Sequence, residues 1–313
     1  MKPPKPFPTP KRKSKRLHRR KPVTLCAAGI SRRDFGSSIF VISDMKLSFW
    51  NGAFSGDRMA TKVKSINDSW LAMIGGDVSA MVPFLGAIED AAQKDSKNTL
   101  RNFARLCSRT YREERKKIIE TEILSQYDIG SYDEYRNLKH TEANLFEAIT
   151  KEIKAAEENW FLLFCGFDHE REPHIFIISE NGKIQFCDTE GFAAIGLGAS
   201  AFIVSMTAYP FNSWRQAGEI LYGMLAAKFS AEEAAEGVGK ETQVLHLSSD
   251  SRVVPAIDPE VVETTREKWK ALPKIPVGCA EELDSIVTAI VKLDRTVPYR
   301  RPRKGSKRKR SMF

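Results

Sequence analysis

VTLCAAGI, residues 23–30, is a short apolar run with β-branched residues at both ends, which reads as a buried strand. A second such run, SIFVISD (38–44), follows after SRRDFGS, a stretch of turn residues and charge. Two apolar runs across a short polar break are a hairpin signal. LSFWNGAFSGDRMATKVKSI comes next, with Gly52, Gly56 and a basic strand-like end. WLAMIGGD (70–77) is another strand, closed by two glycines. The spacing of Val78, Met81, Val82, Leu85 and Ile88 then predicts a helix packed on the sheet.

Residues 97–158 are strongly charged and helical in pattern, and Gly130 is expected to end one of the helices. Strands return at WFLLFCGF (160–167) and HIFIISENGKIQFCD (174–188), where Asn181-Gly182 is a hairpin turn signal. GFAAIGLGASAFIVSM reads as a Gly-rich turn leading into an apolar helix, SWRQAGEILYGMLAAKFSA as a second helix, and VGKETQVLHLSSD as a last strand. Repeated hairpins with helices inserted in pairs argue for two stacked sheets covered by helices, against an alternating parallel β-α sheet.

The charge divides the chain further. Its net charge is +9 over 313 residues, yet residues 1–22 hold ten Lys/Arg and 295–313 hold nine, with no acid in either. Residues 23–294 therefore carry 30 basic against 40 acidic residues, about −10. The expected organisation is a basic, Pro-rich disordered lead-in (1–22), a body (23–257) with a helical insertion (97–158), a helical extension (258–294) and a basic disordered tail (295–313). Such tails can bind nucleic acid weakly by counterion release, or act only as solvated spacers. Cys26, Cys107, Cys165, Cys187 and Cys279 form no CxxC pair and read as reduced core residues of a cytoplasmic protein. No run reaches transmembrane length, and no membrane partner is expected. His169 and His174 flank the acidic loop DHEREPH, whose spacing fits no common metal site and reads as a charged hairpin loop. GLGASA lacks a following GKS or GKT and is no phosphate cradle. Trp50, Trp70, Trp160 and Trp214 read as core or interface anchors.

In order, TLCAAGI, VISD, TKV, LAMIGGD with its helix, FAAIGLGASAF and VGKETQVLHL resemble the proteasome β-subunit family of N-terminal-nucleophile hydrolases, closest to its bacterial proteasome-like branch. RTYREERKKIIETEILSQYDI is similar to that branch's helical segment, and the resemblance covers about residues 23–250. It implies an α+β fold, a four-layer αββα sandwich. It also implies a threonine-dependent amide-bond hydrolase, a peptidase acting on peptide or protein substrates inside a homo-oligomeric ring, with an unfoldase as partner and no metal or organic cofactor.

Residue by residue, the resemblance places Thr24 as nucleophile, Asp44 as the orienting aspartate, Lys62 as the lysine that tunes the amine, and Gly75 as oxyanion donor. A threonine hydroxyl needs a base, and a free α-amine, with a reference pKa near 8, can be one; a backbone N–H can hold the oxyanion. Three departures stand out. The turn that carries a serine in active members is Gly196-Leu197-Gly198 here, the Asp and Ser before the last strand align only with Glu233 and Glu236, and the first hairpin is longer than usual. Val23 precedes the threonine, where self-cleaving propeptides usually end in glycine. A valine codon read as an alternative start would give Met-Thr, and an aminopeptidase would then free Thr24. The sequence thus also admits a catalytically inactive proteasome-like assembly subunit, and a basic-tailed nucleic-acid-associated protein whose body is a scaffold.

Overall fold

The computed structural model describes residues 24–32, 36–49, 54–56, 62–76, 78–94, 99–157, 160–209, 211–235, 237–249 and 254–271. The basic lead-in and tail, Trp50, Cys279 and Glu236 lie outside these residues, and with them the nucleic-acid reading of the tails. The chain divides into two compact units, 1–266 and 267–313.

The first hairpin forms as its pattern predicts. Strand β1 (Cys26–Ser31) pairs antiparallel with β2 (Ser38–Asp44), Cys26 opposite Ser43. Two short strands, β3 (Leu47–Phe49) and β4 (Phe54–Gly56), make a separate two-stranded sheet. Then come β5 (Val63–Ser65), β6 (Trp70–Gly76) and helix α1 (Val78–Lys94). The charged insertion is helical: α2 (Leu100–Ile118), a π-helical turn (Ile119–Ile123), a 3-10 turn (Leu124–Tyr127), α3 (Tyr132–Thr141) and α4 (Ala143–Glu157). Strands β7 (Trp160–Phe167), β8 (Pro173–Ser179), β9 (Lys183–Phe186) and β10 (Phe192–Ile195) follow. Helices α5 (Ala199–Ala208) and α6 (Ala217–Ala234), strand β11 (Thr242–Ser248) and helix α7 (Pro259–Ala271) complete the described chain. The fold is α+β, with two larger sheets ordered β10-β1-β2-β11 and β5-β6-β7-β8-β9, antiparallel throughout.

Strand alternation assigns the faces. Cys26, Ala28 and Ile30 of β1 share a buried cluster with Val41 of β2, Met73 of β6, Leu163 and Cys165 of β7, and Ile175 of β8, so this core draws on both sheets. The intervening β1 residues turn the other way. A Cβ on Gly29 would stand 2.5 Å from Met224 Sδ of α6, so the helix lies against bare backbone there. On β6 the opposite set, Trp70, Ala72 and Ile74, joins Met81, Phe84, Leu85 and Ile88 of α1 and Phe103, Cys107 and Tyr111 of α2. Trp70 stacks on Phe103 with ring centroids 4.5 Å apart. Each such buried apolar side chain contributes about 1.5–3 kcal/mol relative to exposure. The Asn181-Gly182 turn forms with both residues left-handed (φ 58° and 71°), as a tight hairpin turn between right-twisted strands requires.

Local expectations fail in three places. GFAAI is strand β10, not a turn; with four residues and two alanines it has little strand signal of its own and forms by pairing with β1. Gly130 does not end the helical run. Asp128 takes the left-handed position (φ 59°), and Gly130 precedes Ser131, which caps α3 by accepting from Glu134 N–H. On α1, Val82 is 57% exposed, and Phe84 takes the place in the core assigned to it. Of the tryptophans expected as core or interface anchors, Trp70 and Trp160 are in the core and Trp214 is on the surface, 63% exposed. Cys26, Cys107, Cys165 and Cys187 are free and buried. No helix among the described residues is long and apolar enough to cross a membrane.

Candidate functional site

Three segments bring Thr24, Asp44 and Lys62 together. Thr24 lies two residues before β1, Asp44 ends β2, and Lys62 leads into β5. All three are buried, at 1%, 0% and 2% exposure. The Asp44 carboxylate is held by four donors. Oδ1 receives the Lys62 ammonium and, at a long 3.5 Å, the Thr24 hydroxyl. Oδ2 accepts from Leu25 N–H at 3.0 Å and from Gly239 N–H at 3.4 Å. Asp44 N–H in turn donates to Leu25 O at 3.0 Å, which closes the β1–β2 end around the site. Burial pushes the Asp44 carboxyl above the ordinary carboxylate range, and the Lys62 ammonium and Gly239 N–H pull it back. Donors on both oxygens suit the anion, so the Asp44–Lys62 pair is read as a buried salt bridge.

Lys62 is anchored through its own backbone, whose carbonyl accepts Ile74 N–H at 3.1 Å. Cys26, one turn of the alternation beyond Thr24, donates its thiol to Ile74 O at 3.4 Å. Desolvation pushes that thiol up to about 12, so Cys26 stays protonated and is no nucleophile.

The Gly196-Leu197-Gly198 turn acts through its backbone. Gly196 is at φ 96°, and a Cβ there would meet Thr24 O at 2.3 Å. Gly198 N–H donates to Thr24 O at 3.3 Å. Leu197, between the two glycines, is 41% exposed. Thr24 is thus held at its carbonyl by the Gly198 N–H and backed by Gly196, where no side chain fits.

Gly75 lies in β6 opposite Phe161 of β7, and a Cβ there would press on Ile195 at 3.0 Å. Its amide direction follows from its neighbours. Phe167 N–H donates to Ser69 O across the same strand pair, and Ile74 N–H points the other way, to Lys62 O. Alternation then turns the Gly75 N–H towards β7 and the Gly76 N–H back to the Lys62 side.

Other groups near the site have weaker or no sequence signal. Glu233, expected in the place of a site carboxylate, is exposed on α6. Its neighbour Glu232 points inward and holds Lys228, which is fully buried. A lone lysine inside LYGMLAAKFSA, with a glutamate four residues on, is the signal that could have found the pair. Away from the site, the DHEREPH loop is a charge clamp. His174 Nδ1 bonds Asp188 at 2.8 Å and its Nε2 lies 3.5 Å from Asp168. Among the described residues no group of three His, Cys, Asp or Glu could hold a metal ion.

Comparison with protein-family models gives no match to this chain. Comparison with curated proteins gives none either.

Proposed function

We propose that the chain is a proteasome-like threonine hydrolase of amide bonds, a peptidase, whose sheets and flanking helices form the four-layer αββα sandwich of N-terminal-nucleophile hydrolases. The observation that carries this reading is the meeting of Thr24, Asp44 and Lys62, three polar residues from separate segments, in a buried cluster. Two buried sheets need no such group for stability, since an apolar trio of similar volume would serve as well.

In this reading the chemistry starts from a chain whose first residue is Thr24. The α-amine takes the hydroxyl proton as Oγ1 attacks the scissile carbonyl. The Lys62 ammonium, held by Asp44, keeps the site positive and so favours the neutral amine. The oxyanion donor is the Gly76 N–H rather than Gly75's, because Gly75's faces β7. The same amine then protonates the leaving nitrogen, and water releases the acyl group from Oγ1. Peptide substrates, a self-compartmentalised ring and an unfoldase partner belong to this proposal.

A second reading has an observation of its own. Thr24 is 1% exposed and bonded to Val23, as suits a proteasome-like assembly subunit without catalysis. One experiment separates the two: chains cut to begin at Thr24, and the same chains with Thr24→Ala, are assayed on peptide amides and with a threonine-directed electrophile. Hydrolysis and labelling lost with Thr24→Ala, at unchanged assembly size, are the expected results. Hydrolysis that survives Thr24→Ala removes Thr24 as nucleophile. A chain begun at Thr24 that neither cleaves nor reacts selects the assembly subunit.

A further inference from the structure

The turn 237–240, between α6 and β11, joins the Asp44 site to a second buried charge cluster. Gly239 is the shared element. Its N–H donates to Asp44 Oδ2 at 3.4 Å, and its carbonyl accepts the Lys228 ammonium at 2.7 Å. Lys228 also reaches Lys240 O at 3.1 Å and pairs with Glu232 one helical turn on. Glu232 is gripped from its other side by Arg266, whose Nη2 bonds Glu232 Oε1 at 3.2 Å and Lys240 O at 2.8 Å. The Arg266 guanidinium lies 4.2 Å from the Phe229 ring centroid, which fixes its plane. Lys228 is 0% exposed, and its ammonium satisfies three acceptors, as a buried cation must.

We propose that Lys228 is a positioning residue of the Thr24 site: by holding the Gly239 and Lys240 carbonyls from within the body, it keeps the Gly239 N–H on the Asp44 carboxylate. Lys228 reaches neither Thr24 nor Lys62 directly. It acts through the Gly239 backbone: the carbonyl it holds and the N–H on Asp44 belong to the two peptide groups that flank one Cα, so fixing the first limits how far the second can turn. Without it, the Gly239 carbonyl loses its buried donor, the Gly239–Lys240 peptide is free to rotate towards water, and the turn that places the Gly239 N–H loosens with it. Asp44 then keeps Lys62, Leu25 N–H and the long Thr24 contact, but loses one donor and the field of a second buried cation. The ionisable groups facing Asp44 are Lys62 ahead of β5, Cys26 of β1 and Lys228 of α6, with Glu232 and Arg266 behind Lys228. Loss of the Lys228 charge alone moves the Asp44 carboxyl upward.

The test has two arms, and only the second rests on the proposed hydrolase reading. The first follows the Asp44 side-chain carboxyl and the Gly239 amide by NMR through an acid-to-neutral titration of the full chain, with Lys228→Met. The expected result is an Asp44 midpoint moved to higher pH, together with faster hydrogen exchange at Gly239. An unmoved Asp44 midpoint in folded protein overturns the inference. Should Lys228→Met fail to fold, Lys228→Gln keeps a side-chain NH2 donor for the carbonyls and removes the charge; a smaller shift of the same sign is expected, and no shift overturns the inference. In the second arm, chains begun at Thr24 carry Lys228→Met into the peptide-amide assay. There kcat is expected to fall roughly tenfold, the effect of one hydrogen bond to a charged group, with KM unchanged and the acid limb of kcat shifted upward. An unchanged kcat in an active enzyme also overturns the inference. Inactive wild-type chains instead sink the hydrolase reading, and the Asp44 midpoint then decides alone.

Discussion

Replacing Asp44 with asparagine changes one oxygen for an amide group and leaves the shape intact. The structure makes this small change costly. All four groups that meet the carboxylate are donors: Lys62 and Thr24 at Oδ1, and Leu25 N–H and Gly239 N–H at Oδ2. A carboxamide has one accepting oxygen and one NH2, so one orientation sets the NH2 against the Lys62 ammonium and the other sets it against two backbone N–H groups. Lys62, 2% exposed, is also left as a buried cation without its partner. Breaking one side of a buried pair costs about 3–5 kcal/mol. At ~2–4 °C per kcal/mol for a domain of this size, the melting midpoint should fall by roughly 6–20 °C. The assay is thermal unfolding for the midpoint and denaturant unfolding for the free energy, at fixed protein concentration, followed by tryptophan fluorescence, to which the buried Trp70 and Trp160 contribute. The double variant Asp44→Asn with Lys62→Met removes the stranded ammonium and should regain part of the loss, giving a coupling energy well above 1 kcal/mol. Asp44→Asn within about 1 kcal/mol of wild type would refute the description of the site as a tightly held buried pair.

Gly196→Ala places a Cβ at φ 96° and against Thr24 O. It should destabilise by roughly 1–3 kcal/mol from backbone strain alone, while Gly218→Ala, which meets only open space in the first turn of α6, should be neutral or mildly stabilising; equal effects of the two in thermal melts would contradict the close packing at Thr24. His174 gives a pH signature. Burial pulls its imidazole down, but Asp188 and Asp168 together lift it above its ordinary value. Its stabilising charge is then complete below about pH 6.5 and is lost as pH rises through the folded-state value. His174→Gln should therefore cost more at pH 6 than at pH 9 in denaturant unfolding, and an equal cost at both would remove the clamp.

Much of the fold was legible because it is written in periods of two and 3.6. The β1–β2 hairpin, β6, α1, β7, the Asn181-Gly182 turn and β11 announce themselves by apolar alternation, helical spacing or turn chemistry, each a local property of a few residues. The β10 strand was not legible, because FAAI has no period of its own and extends only when β1 offers it a ladder. Asp128 taking the left-handed position ahead of Gly130 is likewise a choice of the surrounding π and 3-10 turns, which no single residue dictates.

The site divides the same way. Thr24, Asp44 and Lys62 could be named only from the order of motifs that resembles the proteasome β-subunit family, since strand position alone gives none of them a role. That they meet, 20 and 18 residues apart in sequence, was decided by the pairing of β1 with β2 and the approach of β5. The direction of the Gly75 amide depended on which neighbour β6 pairs with, and Gly239 became a ligand of Asp44 only through the packing of α6. Sequence by itself determined which segments are strands and helices and which residue types each carries, because those follow from sterics and burial within one element. Tertiary structure alone decided which donors face the Asp44 carboxylate and that Lys228 stands behind it, because hydrogen bonds and charges act over a few ångströms between residues that only packing brings together.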